Sequence, residues 1–163
     1  MEKRRIKHIK KIVVVCTGNS CRSIMAEGYL TARLKELDVT DVTVVSFGTG
    51  ALPGLKPTEE AVKVMLENGI DVSEYVSSGL DSTHIKDADI ILVMEPVHKS
   101  YIANIVPEAE EKTHLLGEFS RHKKGKIKSI ADPIGRTVEG YRIAFSDIKA
   151  SIDGFLKIVG FGR

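Results

Sequence analysis

Apolar positions along this chain fall into short continuous runs and longer spaced stripes. The runs are Ile12–Val15, Val42–Ser46, Asp89–Met94 and Lys112–Leu115. Short, β-branched and unbroken, they predict strands buried on both faces. Between them the spacing widens. Ala26, Leu30, Leu34 and Leu37 recur every three or four residues, one face of a helix that opens near Arg22. Lys56–Asn68 reads as a helix with Pro57 at its start and Gly69 closing it, and Pro96–Val106 reads as another. Val138, Tyr141, Phe145, Ile148, Ile152, Phe155 and Val159 form a long stripe that predicts a buried final helix. Strands alternating with helices predict an α/β fold. The expectation is a single-domain three-layer sandwich, a four-stranded parallel sheet with helices on both faces. Ligands in such sheets sit beyond the carboxyl ends of the strands.

The first run ends at Cys16, and the helix begins near Arg22. The loop between reads Thr17, Gly18, Asn19, Ser20, Cys21, with Ser23 after the arginine. Amides and dipole at a helix N-terminus attract anions there. Gly18 lets the loop curl inward, and Asn19 tolerates a left-handed turn. Successive amides in such a turn cradle phosphate oxygens. A cysteine in that field is favoured as thiolate. Arg22 can grip two oxygens at once, which lysine cannot. Ser23 is placed to donate a hydrogen bond to the sulfur. A lone cysteine at a strand end is more often a small buried hydrophobe. The complete run of Cys, Gly-Asn, Cys-Arg and Ser makes that reading the weaker one. No Gly-Lys-Ser/Thr closes the loop, so it is not a Walker loop. Gly48-Thr49-Gly50 reads as a turn rather than a dinucleotide motif.

Displacement at phosphorus also needs a proton for the leaving group, usually from a carboxylic acid. With 22 acidic residues, composition alone selects none. Asp132 stands out because Pro133 stiffens its loop just before the final helix. Taken alone, the pair reads more simply as a plain Asp-Pro turn.

Taken together, Cys16-Thr-Gly-Asn-Ser-Cys-Arg-Ser-Ile-Met-Ala-Glu27 and the distant Asp132-Pro133 resemble the low-molecular-weight protein tyrosine phosphatase family. The resemblance covers the chain after its first ten residues. Ser46-Phe-Gly-Thr49 and Asp87-Ala-Asp-Ile-Ile-Leu-Val-Met94 support it by order and spacing. It implies roles. Cys16 would be the nucleophile and form a cysteinyl-phosphate. Arg22 would bind the phosphoryl group with the loop from Thr17 to Ser23, including Gly18, Asn19, Ser20 and Cys21. Asp132 would act as general acid and then general base. Asn19, Ser23 and Ser46 would hold the loop, and Cys21 would form a reversible disulfide with Cys16.

Two features depart from phosphotyrosine-selective members. Ile134-Gly135 follows Asp132-Pro133 where aromatics are common, and Leu52 lies near the other wall. Bacterial arginine phosphatases share the Asp-Pro-x-Gly pattern but carry threonine where this chain has Ser20. Thioredoxin-coupled arsenate reductases share the loop and need two further cysteines; this chain has only Cys16 and Cys21. The leading expectation is a metal-independent phosphatase acting on phosphotyrosine in proteins. Protein-arginine phosphatase is the alternative, followed by arsenate reductase or a non-catalytic phosphate or redox sensor. Asp132-Pro133 separates enzyme from sensor, which needs no acid.

The chain of 163 residues suffices for one core. The expected division is a basic extension over 1–10 and a phosphatase domain over 11–163. Two cysteines in one loop are no disulfide framework, which points to the cytoplasm. No run is long enough to span a membrane. A net charge of +2 is too small to argue for nucleic acid. Expected partners are therefore phosphorylated proteins or peptides, not nucleic acid or membrane, and the expected state is a monomer. Basic residues do cluster locally: Lys3, Arg4, Arg5, Lys7, Lys10 and Lys11, then Arg121, Lys123, Lys124, Lys126 and Lys128. The second cluster leads into Asp132. It reads either as an attractant for acidic phosphopeptides or as a solvated loop. His8, His84, His98, His114 and His122 show no metal-ligand spacing, so no metal or cofactor is expected, and they read as surface or packing residues.

Overall fold

The structure is a computed structural model that describes residues 8–120 and 129–161. Lys3, Arg4, Arg5, Lys7, the whole of the second basic cluster and His122 lie outside the described residues.

Strands β1 (Lys11–Cys16), β2 (Thr43–Gly48), β3 (Ile90–Val93) and β4 (Thr113–Leu115) form one sheet in the order β2-β1-β3-β4. All pairings are parallel, with Cys16 opposite Gly48 and Val15 opposite Val93. Side chains alternate across this sheet, and both faces are covered, which is why its central strands read as unbroken apolar runs. Ile12, Val14, Ile90 and Leu92 point into one core, shared with helices α1 (Arg22–Glu36), α2 (Glu59–Glu67) and α5 (Val138–Ile158). Val13, Val15, Ile91 and Val93 point into the other, against α3 (Ser82–Asp87) and α4 (Pro96–Ile105). The predicted three-layer architecture is therefore the observed one.

Helix boundaries shift in instructive ways. The helix expected from Lys56 begins at Glu59, because Thr58 takes the extended N-cap conformation and its Oγ1 accepts from Ala61 N at 3.3 Å. Pro57 therefore lies outside the helix instead of in its first turn. Asn68 caps the other end, and Gly69 follows at φ 77°. The final helix keeps its predicted stripe: Tyr141, Phe145, Ile148, Ile152 and Phe155 are all buried.

In this strand order, the loops after β1 and β3 leave the sheet towards opposite faces. A crevice opens between them at the carboxyl ends, the place where such folds bind ligands. Cys16 ends β1, and Glu95 follows β3.

Candidate active site

Helix α1 starts without a side-chain cap. Its N-cap is Cys21, which makes no capping hydrogen bond, and its first turn holds no acidic residue. The orphan amides of that turn remain free for an external anion. The loop before it curls because Asn19 adopts φ 52°. Asn19 is fully buried, and its amide is committed on every side: Nδ2 donates to Ser23 Oγ at 2.7 Å and Ser46 Oγ at 2.9 Å, and Oδ1 accepts from Ser78 N at 2.9 Å.

Strand β2 braces the same loop from the side. Thr49 N and Gly50 N donate to the carbonyls of Cys16 and Thr17 at 2.9 and 3.0 Å. A Cβ on Gly48 would stand 2.4 Å from the Thr17 carbonyl oxygen, so only glycine allows this approach. The Gly48–Gly50 segment is thus a buttress for the loop as well as a turn. From another direction, Thr58 N donates to the Ser20 carbonyl at 3.0 Å.

Two polar groups face the Cys16 sulfur. Asn19 N–H lies 3.3 Å from Sγ, and Ser23 Oγ lies 3.0 Å away. The Cys16 thiol donates to Ser23 Oγ, which also accepts from Asn19 and whose own proton can turn to the sulfur once the thiol ionises. Behind them the chain of bonds continues. Ser46 donates to Glu27 Oε1 at 2.7 Å. Burial raises the Glu27 carboxyl above its ordinary range, while bonds from Ser46 and Tyr75 pull it back.

Arg22 is only 2% exposed. Its Nη1 donates to Glu95 Oε2 at 2.7 Å and to the Ile130 carbonyl at 2.8 Å. Its Nε has no acceptor among the described residues. A buried donor left without a partner costs about 1–3 kcal/mol. With Nη1 spent, the guanidinium offers its Nε–Nη2 edge, the fork that matches two oxygens of a tetrahedral anion. Asp132 stands beside this edge, with Oδ2 3.7 Å from Nη2. Its Oδ1 accepts from Ile134 N at 3.0 Å, which fixes the carboxyl over the loop. Gly135 at φ 79° then turns the chain towards α5.

Cys21 faces the same point, with Sγ 3.9 Å from Asp132 Oδ1. Burial first, then the neighbouring Cys16, pushes its thiol up to about 12. Cys21 therefore rests protonated. Leu52 and Ile134, two residues beyond Gly50 and Asp132 respectively, are exposed aliphatic side chains.

Every predicted site residue from Cys16 to Ser23, together with Ser46 and Asp132, meets in this one place. Glu95 and His98 were not foreseen. His98 is buried, and its Nε2 lies 2.9 Å from Thr17 Oγ1. Their signal is the pattern Glu-x-x-His directly after a buried strand, legible only once β3 is known to lie beside β1. No group of three or more His, Cys, Asp or Glu among the described residues is placed to hold a metal ion.

Known proteins resemble this chain along most of its length. The chain is 38% identical over 143 residues to a protein-arginine-phosphatase of Geobacillus stearothermophilus, covering 88% of this chain and 91% of the relative. It is 35% identical over 148 residues to EpsP of Ralstonia nicotianae, a probable low molecular weight protein-tyrosine-phosphatase, covering 91% and 94%. Among solved structures, Wzb of Vibrio vulnificus in complex with benzylphosphonate superposes with a TM-score of 0.81 at 34% identity, covering 92% of this chain and 99% of Wzb. The family profile of low molecular weight phosphotyrosine protein phosphatases matches residues 11–160, and the chain belongs to that family.

Proposed function

We propose that this phosphatase hydrolyses phosphotyrosine in proteins or peptides, without a metal, through a phosphate carried transiently on Cys16. The unpartnered Nε of buried Arg22 carries this reading, because it is a donor prepared for an anion. In the first step the Cys16 thiolate attacks phosphorus. A P–S bond forms, the P–O ester bond breaks, and protonated Asp132 gives its proton to the departing oxygen. Loop amides and the Nε–Nη2 edge of Arg22 hold the remaining oxygens. Water then attacks phosphorus, and Asp132 takes its proton. The P–S bond breaks, releasing inorganic phosphate and the thiolate.

A second reading, protein-arginine phosphatase, is supported by the exposed aliphatic side chains of Leu52 and Ile134 and by the Geobacillus relative. Matched peptides bearing phosphotyrosine, phosphoserine or phosphoarginine separate the two. Fastest release from phosphotyrosine supports the first reading; fastest release from phosphoarginine replaces it with the second.

The proposed setting is the cytoplasm, acting as a monomer on phosphoproteins, with neither nucleic acid nor membrane as partner. Among the described residues, no helix is long and apolar enough to cross a membrane. Residues 11–163 would be the phosphatase domain and 1–10 a basic extension. The Cys16–Cys21 pair would also make the enzyme sensitive to oxidation.

A further inference from the structure

Thr17 and Arg22 stand at opposite ends of the phosphate loop, and one turn of chain at the start of α4 holds both. Glu95 grips Arg22, and His98 grips Thr17. We propose that His98 is a positioning residue: its Nε2–H fixes the Thr17 side chain and leaves the Thr17 hydroxyl one proton for a substrate oxygen at the pocket mouth. Only the substrate oxygen rests on the phosphatase reading above.

The direction of each bond follows from the partners. Glu95 N–H donates to His98 Nδ1 at 3.1 Å, so Nδ1 presents a lone pair. A neutral ring then carries its proton on Nε2. Burial, helped by the Arg22 charge, pulls the ring down to about 4 against Glu95 and Asp132, so it is neutral near pH 7. Nε2–H can only donate, and the Thr17 oxygen 2.9 Å away must accept. A hydroxyl has one proton, and that proton remains unspent. Thr17 itself is exposed, directly after Cys16, so its free proton is open to a ligand in the crevice. Its backbone is already pinned, since Gly50 N donates to the Thr17 carbonyl at 3.0 Å. What His98 adds is the choice of side-chain rotamer, which the loop alone does not fix.

Amide side chains separate the two bonds of the ring. Asn at position 98 can offer an oxygen near Nδ1 but cannot reach Thr17. Gln can place an amide N–H near Nε2 but leaves the Glu95 amide without its acceptor. His98→Asn and Thr17→Val are each expected to lower kcat/KM on p-nitrophenyl phosphate about ten-fold, the worth of one hydrogen bond. The double variant should be no worse than either single one, because both remove the same contact. His98→Gln should recover most of the loss.

Two readouts stand apart from turnover. A long-range nitrogen spectrum of the wild-type ring should place the proton on Nε2. Inorganic phosphate should bind more weakly to Thr17→Val, whose exposed position spares folding even if His98→Asn fails to fold. Additive effects in the double variant, unchanged phosphate binding in Thr17→Val, or a proton on Nδ1 would each overturn the proposal. A wild type inert towards p-nitrophenyl phosphate would instead sink the phosphatase reading, and the spectrum and phosphate binding would still decide the role of His98.

Discussion

Glu95 Oε2 lies 2.7 Å from Arg22 Nη1, and this contact decides which edge of the guanidinium is left for a ligand. Together with the Ile130 carbonyl it consumes one end of the fork and leaves Nε and Nη2 facing the loop. The carboxylate also opposes the anion the site must bind. Glu95→Gln should therefore split the kinetics. Inorganic phosphate should inhibit several-fold more strongly, since a repelling charge is gone. The kcat should fall about ten-fold, since a neutral acceptor orients the arginine less firmly. Steady-state rates with phosphate as inhibitor check both; equal weakening of the two would contradict this role.

Gly48→Ala should damage the loop from behind. Its Cβ would meet the Thr17 carbonyl at 2.4 Å and Asn19 N at 3.0 Å, both backbone atoms that cannot swing aside. The expected cost is about 1–3 kcal/mol of stability, as for other overpacked positions. Turnover should fall with it, because the displaced carbonyl shares its peptide plane with the Gly18 amide of the anion nest. Urea unfolding and kcat measured on the same preparation test the pairing.

Oxidation should act reversibly through the two cysteines. Peroxide converts the Cys16 thiolate to a sulfenic acid; the Cys21 sulfur then displaces water, forming the disulfide. Cys21 rests protonated, so Cys16 is the first to be oxidised. A thiol should restore wild-type activity but not that of Cys21→Ser, in which oxidation proceeds to the irreversible acids. Mass spectrometry finding only sulfonic acid on wild-type Cys16 would refute the scheme.

Acid should weaken the fold through His98. Its folded value near 4 lies below the ordinary 6.5 of an unfolded histidine. Between these values only the unfolded chain takes up the proton, so stability falls as pH drops through that window. The slope from one such group approaches about 1.4 kcal/mol per pH unit. Denaturant midpoints from pH 7 to 4.5 should show it, and His98→Asn should remove that share of the slope.

What the sequence disclosed depended on the range of the signal. The anion loop is written in consecutive residues, and Asn19 and Gly18 announce its curl. The central strands and final helix are legible because continuous runs and a seven-residue stripe leave little ambiguity. Helix α3 escaped because six residues with only Ile85 buried give no periodicity. Glu95 and His98 escaped for a different reason. They meet Arg22 and Thr17 across 73 and 81 residues, through a strand pairing that no local pattern encodes. Asp132 lay between: its proline marked the loop, but only the fold sets it beside Arg22.

Asp132 as general acid makes a separable claim. Asp132→Asn should slow substrates with poor leaving groups by roughly 10²–10⁴-fold. Activated aryl phosphates should suffer less, since their leaving groups hardly need the proton. Asp147 and Asp153 are no substitutes, because both belong to α5, and Asp153 is engaged by Tyr29 at 2.7 Å. Equal rates for Asp132→Asn and wild type on a phosphopeptide would assign the proton to another group.

The central claim is a phosphate bonded to Cys16 during turnover. Rapid acid quench of wild type mixed with a radiolabelled phosphotyrosine peptide should trap label, and peptide mapping should place it on Cys16. Asp132→Asn should still form the label but lose it more slowly, and Cys16→Ala should acquire none and turn nothing over. Steady turnover with no label on Cys16, or turnover retained in Cys16→Ala, would contradict the account.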